Sequence, residues 1–192
     1  MKAKLRLYRQ SPKHYAWICK NLPDFRPSTD KDEFIARILH PARRVGIRYD
    51  IDWLSLVWSA CIDSFFGEIE IPGSNNLFRF QGVDTLGYGR LDTIEVPTLI
   101  CGSLVNKIKY VRFFNSIDEC FMVFIEAITP IFGSIDNVRK YASMGLVLCN
   151  ILTQKGFLYQ RTERYKVYCR EYVNTYLVKK GYILGVENGI EG

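Results

Sequence analysis

Apolar residues recur with the 3.6-residue period of an α-helix early in the chain. The stripe within residues 34–39 follows Ser28 or Thr29, either of which is a favourable N-cap, and acidic residues fill the first turn. Pro41 is expected to break or restart this helix, because proline removes a backbone donor, and Gly46 is expected to end it. The pattern therefore predicts an amphipathic helix that ends near Gly46.

A second helix is predicted from Asp50, as the N-cap, to Phe66, with Gly67 as the residue after its C-cap. Its apolar positions cover nearly the whole circumference, which is typical of a central, buried helix. Asp63 is the single charge between Trp53 and Phe66. The last turn of a buried helix is an unusual place for a carboxylate.

Residues 68–116 change character, with short runs of β-branched and aromatic residues separated by glycine-containing turns. This pattern is typical of short strands or a β-hairpin. Helical periodicity returns at Ser116, where S-x-x-E forms a capping box, and continues over residues 134–153 and 160–179. The predicted fold class is α+β, mainly α-helical, with a small β-hairpin lobe.

The organisation along the chain predicts one domain with appendages. Residues 1–30 are interpreted as a basic N-terminal extension ending in a linker, residues 31–180 as the domain, and residues 181–192 as a tail. The start has no signal-peptide pattern and no run of 18 apolar residues occurs, so we expect synthesis in the cytoplasm and no membrane span.

The positions of cysteine and histidine limit the kinds of disulfide, metal or catalytic site that the chain can form. The six cysteines have no C-x-x-C spacing and mostly lie in apolar runs, so reduced core thiols are expected rather than a disulfide framework. The two histidines, His14 and His40, have no ligand spacing to cysteine, and no serine lies in a G-x-S-x-G motif. We expect no metal, no cofactor and no Ser-His-Asp triad.

The net charge of +6 is carried by the two ends of the chain. Residues 1–30 and 154–192 hold 14 Lys and Arg against 6 Asp and Glu, whereas residues 31–153 hold 12 against 14. Basic ends suit a polyanionic partner, such as nucleic acid, a cell-wall polymer or an acidic protein. The alternative is a solvated basic face without a partner.

The tyrosine-rich segment near the C-terminus bears on the nucleic-acid alternative. At helical spacing its tyrosines form a stripe predicted to face the core, with basic residues outside it on a solvated face. The tyrosines are Tyr165, Tyr168 and Tyr172, and the basic residues are Arg161, Arg164 and Lys166. A core-facing stripe is a simpler interpretation than nucleic-acid binding, so a nucleic-acid partner is not expected.

Asp63 has two interpretations. The C-terminal end of a helix carries partial negative charge and burial disfavours an ionised carboxylate, so both effects would raise the pKa of Asp63. A protonated carboxyl is what a general acid needs in order to donate to a leaving oxygen. The alternative is structural, in which Asp63 hydrogen-bonds a neighbouring backbone amide or pairs with an arginine.

Six short motifs, in order, give the chain a resemblance to a known family. They are FIARILHPARRVGI (34–47), SACIDSFFG (59–67), SNNLFRFQG (74–82), TIEV (93–96), VRFFNSIDECF (111–121) and GFLYQRTERY (156–165). Together they resemble the glucosaminidase family of peptidoglycan hydrolases, glycoside hydrolase family 73, over residues 34–172. The resemblance implies a lysozyme-like fold and hydrolysis of the β-1,4 bond after N-acetylglucosamine in peptidoglycan glycan strands.

The resemblance also implies site residues. Asp63 stands where the family has its catalytic Glu, and Glu95 stands where a second acidic residue occurs on the β-lobe. Glycoside cleavage needs one acid to protonate the leaving oxygen and a second group on the opposite face of the sugar, here Glu95 through a water or the substrate's acetamido group. The residues expected to contact substrate are Phe66, Asn76, Phe78, Arg79 and Tyr159.

Several positions depart from the family motifs. Asp63 is one methylene shorter than Glu, Phe65-Phe66 replaces Gly-Trp, Arg79 replaces the glycine of NNLFG, and Phe157 replaces a tyrosine. Misplacing the acid by about 1 Å can cost about 10²-fold in rate. A guanidinium that points at Asp63 would lower its pKa and spoil a general acid.

Two functions stay open at this point. The first is an active wall hydrolase that uses Asp63 as its acid. The second is a retained fold with weak or no turnover, serving as a structural or wall-binding part of a phage virion or an envelope-crossing machine. Either function would place the protein at the cell wall, with peptidoglycan glycan strands as its partner.

Overall fold

The computed structural model describes residues 30–71, 73–81, 89–100, 103–159 and 161–183. Within these ranges the elements are α1 (Lys31–Tyr49), α2 (Trp53–Ser64), β1 (Arg90–Ile100), β2 (Ser103–Phe113), α3 (Ile117–Phe132), α4 (Ile135–Ala142), α5 (Val147–Gln154) and α6 (Glu163–Lys179). The predicted α+β class is confirmed. The extension over residues 1–29 and the tail beyond residue 183 lie outside the described residues, so the domain limits stay a prediction.

The N-cap of α1 is Asp30, rather than the predicted Ser28 or Thr29. Its side chain accepts a hydrogen bond from the Asp32 amide at 2.8 Å, which satisfies one of the free donors at the helix start. Asp32 itself lies in the first turn, where the helix dipole favours a negative charge.

The predicted break in α1 is wrong, because the helix runs through Pro41 and Gly46 to Tyr49. Pro41 is buried on the core face, and its packing offsets the backbone hydrogen bond that proline removes. Gly46 serves close packing rather than termination. A Cβ at this position would lie 2.7 Å from the Cβ of Trp53, at the start of α2.

α2 is the buried centre of the fold, as its apolar pattern predicts. All ten residues from Ser55 to Ser64 are buried, and α1, α5 and α6 pack against the helix. The helix is shorter than predicted. It begins after Asp52, whose side chain accepts from the Leu54 amide at 3.0 Å, and it ends before Phe65 in the left-handed region.

The predicted hairpin lobe is confirmed as two 11-residue antiparallel strands with Arg90 opposite Phe113 and Ile100 opposite Ser103. Its base is held by Glu119 in the first turn of α3, which accepts a hydrogen bond from the Gly89 amide at 2.8 Å. Glu119 is the acidic member of the predicted capping box, and its own amide donates to the Ser116 side chain at 3.1 Å. One capping residue therefore also anchors the lobe.

The last three helices revise two predictions. Residues 134–153 form α4 and α5 rather than one helix, with Gly145 at a φ of 65° between them. Along α6 the side facing the core carries Lys166, which is only 2% exposed and pairs with Glu163, whereas Tyr168 is 39% exposed. The tyrosine stripe is therefore turned partly outward, and Lys166 does not lie on a solvated face.

No single helix in the described ranges is both long and apolar enough to cross a membrane, and α3 with α4 would pass only as a pair bent by 102°.

Gly67 provides a first test of the turn that ends α2. It has a φ of 86°, and a Cβ there would lie 2.5 Å from the buried ring of Phe34. We expect Gly67→Ala to destabilise the protein by about 3 kcal/mol, from backbone strain plus overpacking. Gly73→Ala is the control, because Gly73 has a φ of 73° but open space around it, so strain of about 1 kcal/mol is all that it adds. Equal losses in urea unfolding would show that the Phe34 contact is unimportant.

The buried thiols provide a second test. Cys61, Cys120, Cys149 and Cys169 are free and fully buried, and burial raises the pKa of Cys149 to about 11 and of Cys169 to about 12. We expect the peptides carrying these four to stay unmodified by iodoacetamide at pH 8 in native protein, and to react fully in denaturant. Rapid native labelling of any of the four, read by peptide mass spectrometry, would contradict this packing.

Candidate functional site

Asp63 lies in the last turn of α2 with none of its surface exposed. The Arg79 guanidinium donates from Nη2 to Oδ1 at 2.9 Å and to Oδ2 at 3.0 Å. The backbone amide of Tyr159 donates to Oδ1 at 2.6 Å. Asp63 therefore acts as an acceptor through both oxygens, and both parts of the structural interpretation, an arginine partner and an amide partner, are present.

The loop after α2 brings Arg79 to this position because Asn76 fixes its shape. Asn76 is fully buried and donates from Nδ2 to the carbonyl oxygens of Phe80 and Arg112, each at 2.9 Å. Its Oδ1 accepts from the Phe80 amide at 2.8 Å. This side chain closes residues 76–80 into a turn and joins the turn to β2, with Arg79 at its inner side.

A second cation, Arg161, stands beside the ion pair. Its guanidinium carbon lies 3.1 Å from the ring centroid of Phe65 and 3.9 Å from that of Tyr159, so the two rings enclose it. Burial lowers the pKa of Arg161 to about 10, against the opposing effects of Tyr165 and Asp63, and the side chain stays charged at neutral pH. The helical spacing predicts a solvated face for Arg161, and it gives no signal for this role.

The backbone around Asp63 is strained at two positions that glycine occupies in the family motifs. Phe65 has a φ of 55° and Arg79 a φ of 52°, both in the left-handed region that side chains disfavour. Phe66, between Phe65 and Gly67, has a φ of 56°. The backbone thus keeps the conformation suited to glycine at positions 65 and 79, while the Arg79 side chain binds Asp63 and the Phe65 ring packs against Arg161.

The remaining predicted site residues lie in different surroundings. Phe66 and Phe78 are buried in the core, where Phe78 stacks on Phe124 with centroids 3.9 Å apart. Tyr159 is half-buried beside the pair. Glu95 lies within β1 opposite Ile108, and its side chain is outside the described part of the chain, so its approach to Asp63 stays a prediction. The structure brings together Asp63, Arg79 and Tyr159.

This arrangement differs from the accessible acid that the sequence predicts. A general acid must touch the leaving oxygen and offer it a proton, but Asp63 has no exposed surface and accepts hydrogen bonds on both oxygens. Phe66, Asn76 and Phe78 likewise expose almost no surface to a ligand. In the ranges that the structure covers, no three His, Cys, Asp or Glu side chains cluster as a metal site would require.

Comparison with known proteins bears on the fold. The sequence matches no family model and no curated protein. Solved structures do match it: the glycoside hydrolase domain of FlgJ from Salmonella typhimurium superposes with a TM-score of 0.55 at 15% identity, covering 80% of this chain and 92% of that one. This chain has the glucosaminidase fold. At this identity the likeness concerns the fold alone.

Two further structures extend the comparison. A peptidoglycan hydrolase from Sphingomonas sp. A1 matches with a TM-score of 0.55 at 16% identity, covering 81% of this chain and 99% of that one. A type VI secretion system effector-immunity complex from Pseudomonas protegens matches with a TM-score of 0.51 at 16% identity, covering 84% and 99%. The lysozyme-like glucosaminidase fold implied by the sequence motifs is thereby confirmed.

The ion pair in this glucosaminidase fold can be tested by its contribution to stability. Arg79→Ala leaves the Asp63 charge buried without its guanidinium, and we expect a loss of about 3 kcal/mol or more. Arg44→Ala is the control, because Arg44 pairs with Asp118 on the surface with 62% of its side chain exposed, and such pairs contribute at most about 1 kcal/mol. Urea unfolding of both variants measures the difference, and similar losses would mean that the buried pair is not the stabilising element.

Proposed function

We propose that this chain binds the glycan strands of peptidoglycan, and that it does not cleave them while Asp63 is paired with Arg79. The fold, which it has in common with peptidoglycan hydrolases, supports the choice of glycan. The absence of turnover rests on one observation, the fully buried Asp63 carboxylate that accepts hydrogen bonds from Arg79 and Tyr159 on both oxygens.

The energetics of the pair support this proposal. To act as an acid, Asp63 must lose the guanidinium, gain a proton and reach a sugar oxygen. Separating one partner from a buried pair costs about 3–5 kcal/mol. Because each 1.36 kcal/mol is about tenfold in rate, this step alone lowers turnover by about 10² to 10⁴-fold. The shorter side chain of Asp adds a further loss through misplacement.

Hydrolysis is the second candidate, and a specific observation favours it. A glycoside hydrolase domain and a peptidoglycan hydrolase match about four-fifths of this protein. Both motif positions for acidic residues here hold carboxylates, Asp63 and Glu95. In this candidate, substrate binding draws Arg79 away from Asp63, and Glu95 on the hairpin supplies the second acidic group.

The place of action that we propose is the cell wall, as a component of a virion or an envelope-crossing machine. The match to a protein from a secretion-system effector-immunity complex is in line with this setting. Copurification of tagged protein with virion or secretion proteins, but not with an unrelated tagged control, is the expected result. Recovery of the protein alone from every source would count against the assembly.

Sedimentation with purified sacculi, followed by a reducing-end assay, separates the two candidates. We expect wild type to sediment with sacculi and to release no reducing ends above the blank. Asp63→Asn should behave in the same way in both assays, and Asp118→Asn, which alters an exposed ion pair, is the matched control for a charge change. Failure to sediment would remove the proposed glycan binding.

The double variant Asp63→Glu/Arg79→Gly tests whether the ion pair is what blocks turnover. It restores both family residues, removes the guanidinium and relieves the left-handed strain at position 79. New reducing ends from the double variant alone would identify the pair as the block. Reducing ends from wild type that disappear in Asp63→Asn would instead establish hydrolysis and exclude the binding-only function.

A further inference from the structure

An open groove runs between α6 and the first turn of α1, on the side where Tyr168 is partly exposed. Its volume is about 360 Å³, within the range of small-molecule sites. Three aromatic rings and three charged groups line it. These residues are Tyr168, Tyr172, Tyr176, Asp32, Glu171 and Lys179.

The aromatic wall of the groove is fixed in place by the start of α1. Lys31 donates to the Tyr168 hydroxyl at 2.7 Å, and the Tyr172 hydroxyl donates to Asp32 at 2.9 Å. The Lys31 ammonium also lies 5.1 to 5.5 Å from the ring centroids of Phe66, Tyr168 and Tyr172. Rings held in this way lose little freedom when a ligand binds, which favours affinity.

The charges around the groove nearly balance. Asp32, Glu171 and Lys179 line it, and Lys31 lies beside it, hydrogen-bonded to the Tyr168 hydroxyl. A polyanion gains little from such a site, whereas an uncharged ligand with flat apolar faces and several hydroxyl and amide groups fits both the rings and the polar rim. Pyranose sugars carrying acetamido groups have this chemistry.

The groove is also connected to the Asp63 site by a row of aromatic rings. Ring centroids lie 5.9 Å apart for Tyr172 and Tyr168, and 6.1 Å apart for Tyr168 and Tyr165. The row continues from Tyr165 to Phe65 at 5.4 Å and from Phe65 to Tyr159 at 6.3 Å. Tyr159 is the residue whose amide binds Asp63. Contacts between rings therefore link the wall of the groove to the residue that holds Asp63.

We propose that this groove is a binding site for a glycan of N-acetylhexosamine units, separate from the Asp63–Arg79 pair. The choice of sugar rests on the proposed function, but the site does not. Tyr168 supplies the exposed stacking face, Glu171 accepts from hydroxyl or acetamido N–H groups, and Lys179 donates to a carbonyl or hydroxyl oxygen.

Calorimetric titration of the full chain with the β-1,4-linked tetramer of N-acetylglucosamine tests the site. We expect Tyr168→Ala to weaken binding by about tenfold, since an aromatic contact of this kind is lost. Tyr168→Phe should retain most of the affinity because it keeps the ring. Met144→Ala, at a surface position that is 51% exposed, is the control and should bind as wild type does. The glucose tetramer with the same linkage should bind more weakly, since it lacks the acetamido groups.

The possible results separate the site from the proposed function. If the tetramer does not bind to wild type, the site is overturned. The site is also overturned if Tyr168→Ala keeps its affinity and has a lower Tm, because the ring would then serve packing. If Tyr168→Ala does not fold, Glu171→Gln takes its place, and unchanged affinity there overturns the site. If the tetramer binds in a way that depends on Tyr168 but the protein does not sediment with sacculi, the site stands and the proposed function is overturned. If the protein binds sacculi, Tyr168→Ala leaves that binding unchanged and the tetramer does not bind, the proposed function stands and the groove site is overturned.

Discussion

A carboxylate with no exposed surface is stable only when other groups replace the water that it has lost. At Asp63 these groups are the Arg79 guanidinium and the Tyr159 amide. The three partners come from the end of α2, the loop that follows it and the segment before α6. The interaction therefore joins parts of the chain up to 96 residues apart.

The backbone beside this ion pair is strained at two positions. Phe65 and Arg79 occupy left-handed conformations, which cost of order 1 kcal/mol or more each for residues other than glycine. The family motifs have glycine at both positions. The side chains at both positions here make specific contacts: Arg79 is the counter-ion of Asp63, and the Phe65 ring packs against Arg161. The strain is tolerated because these contacts offset it.

The elements whose sequence signal is local are the ones that the sequence predicts correctly. The central position of α2, the hairpin and the capping box at Ser116 follow from periodicity, turn residues and a short motif. The predicted break at Pro41 is wrong because tertiary packing overrides helix propensity. The orientation of the tyrosine stripe was also missed, because periodicity shows that residues share a face but not which of two faces is covered by another helix.

The site itself was predictable in its members but not in their geometry. The motifs indicate that Asp63, Arg79 and Tyr159 belong to one region, and the alternative of an arginine partner for Asp63 is visible in the sequence. Whether Arg79 points inward depends on the turn that Asn76 builds through three hydrogen bonds. Arg161 was missed because its partners, Phe65 and Tyr159, are set by the contact of α2 with the segment before α6.

The two departures at positions 63 and 79 are best understood as one coupled change. A Glu at position 63 would place an extra methylene in a site that is already filled by Arg79, and overpacking of this kind costs about 1–3 kcal/mol. A glycine at position 79 would leave Asp63 buried without a counter-ion, at a cost of about 3–5 kcal/mol. Glu at position 63 is therefore unfavourable beside Arg79, and glycine at position 79 is unfavourable beside Asp63. The stability effects of substitutions at contacting residues are not additive. The short acid and the arginine therefore support one another, which makes the buried ion pair a stable arrangement of these two positions.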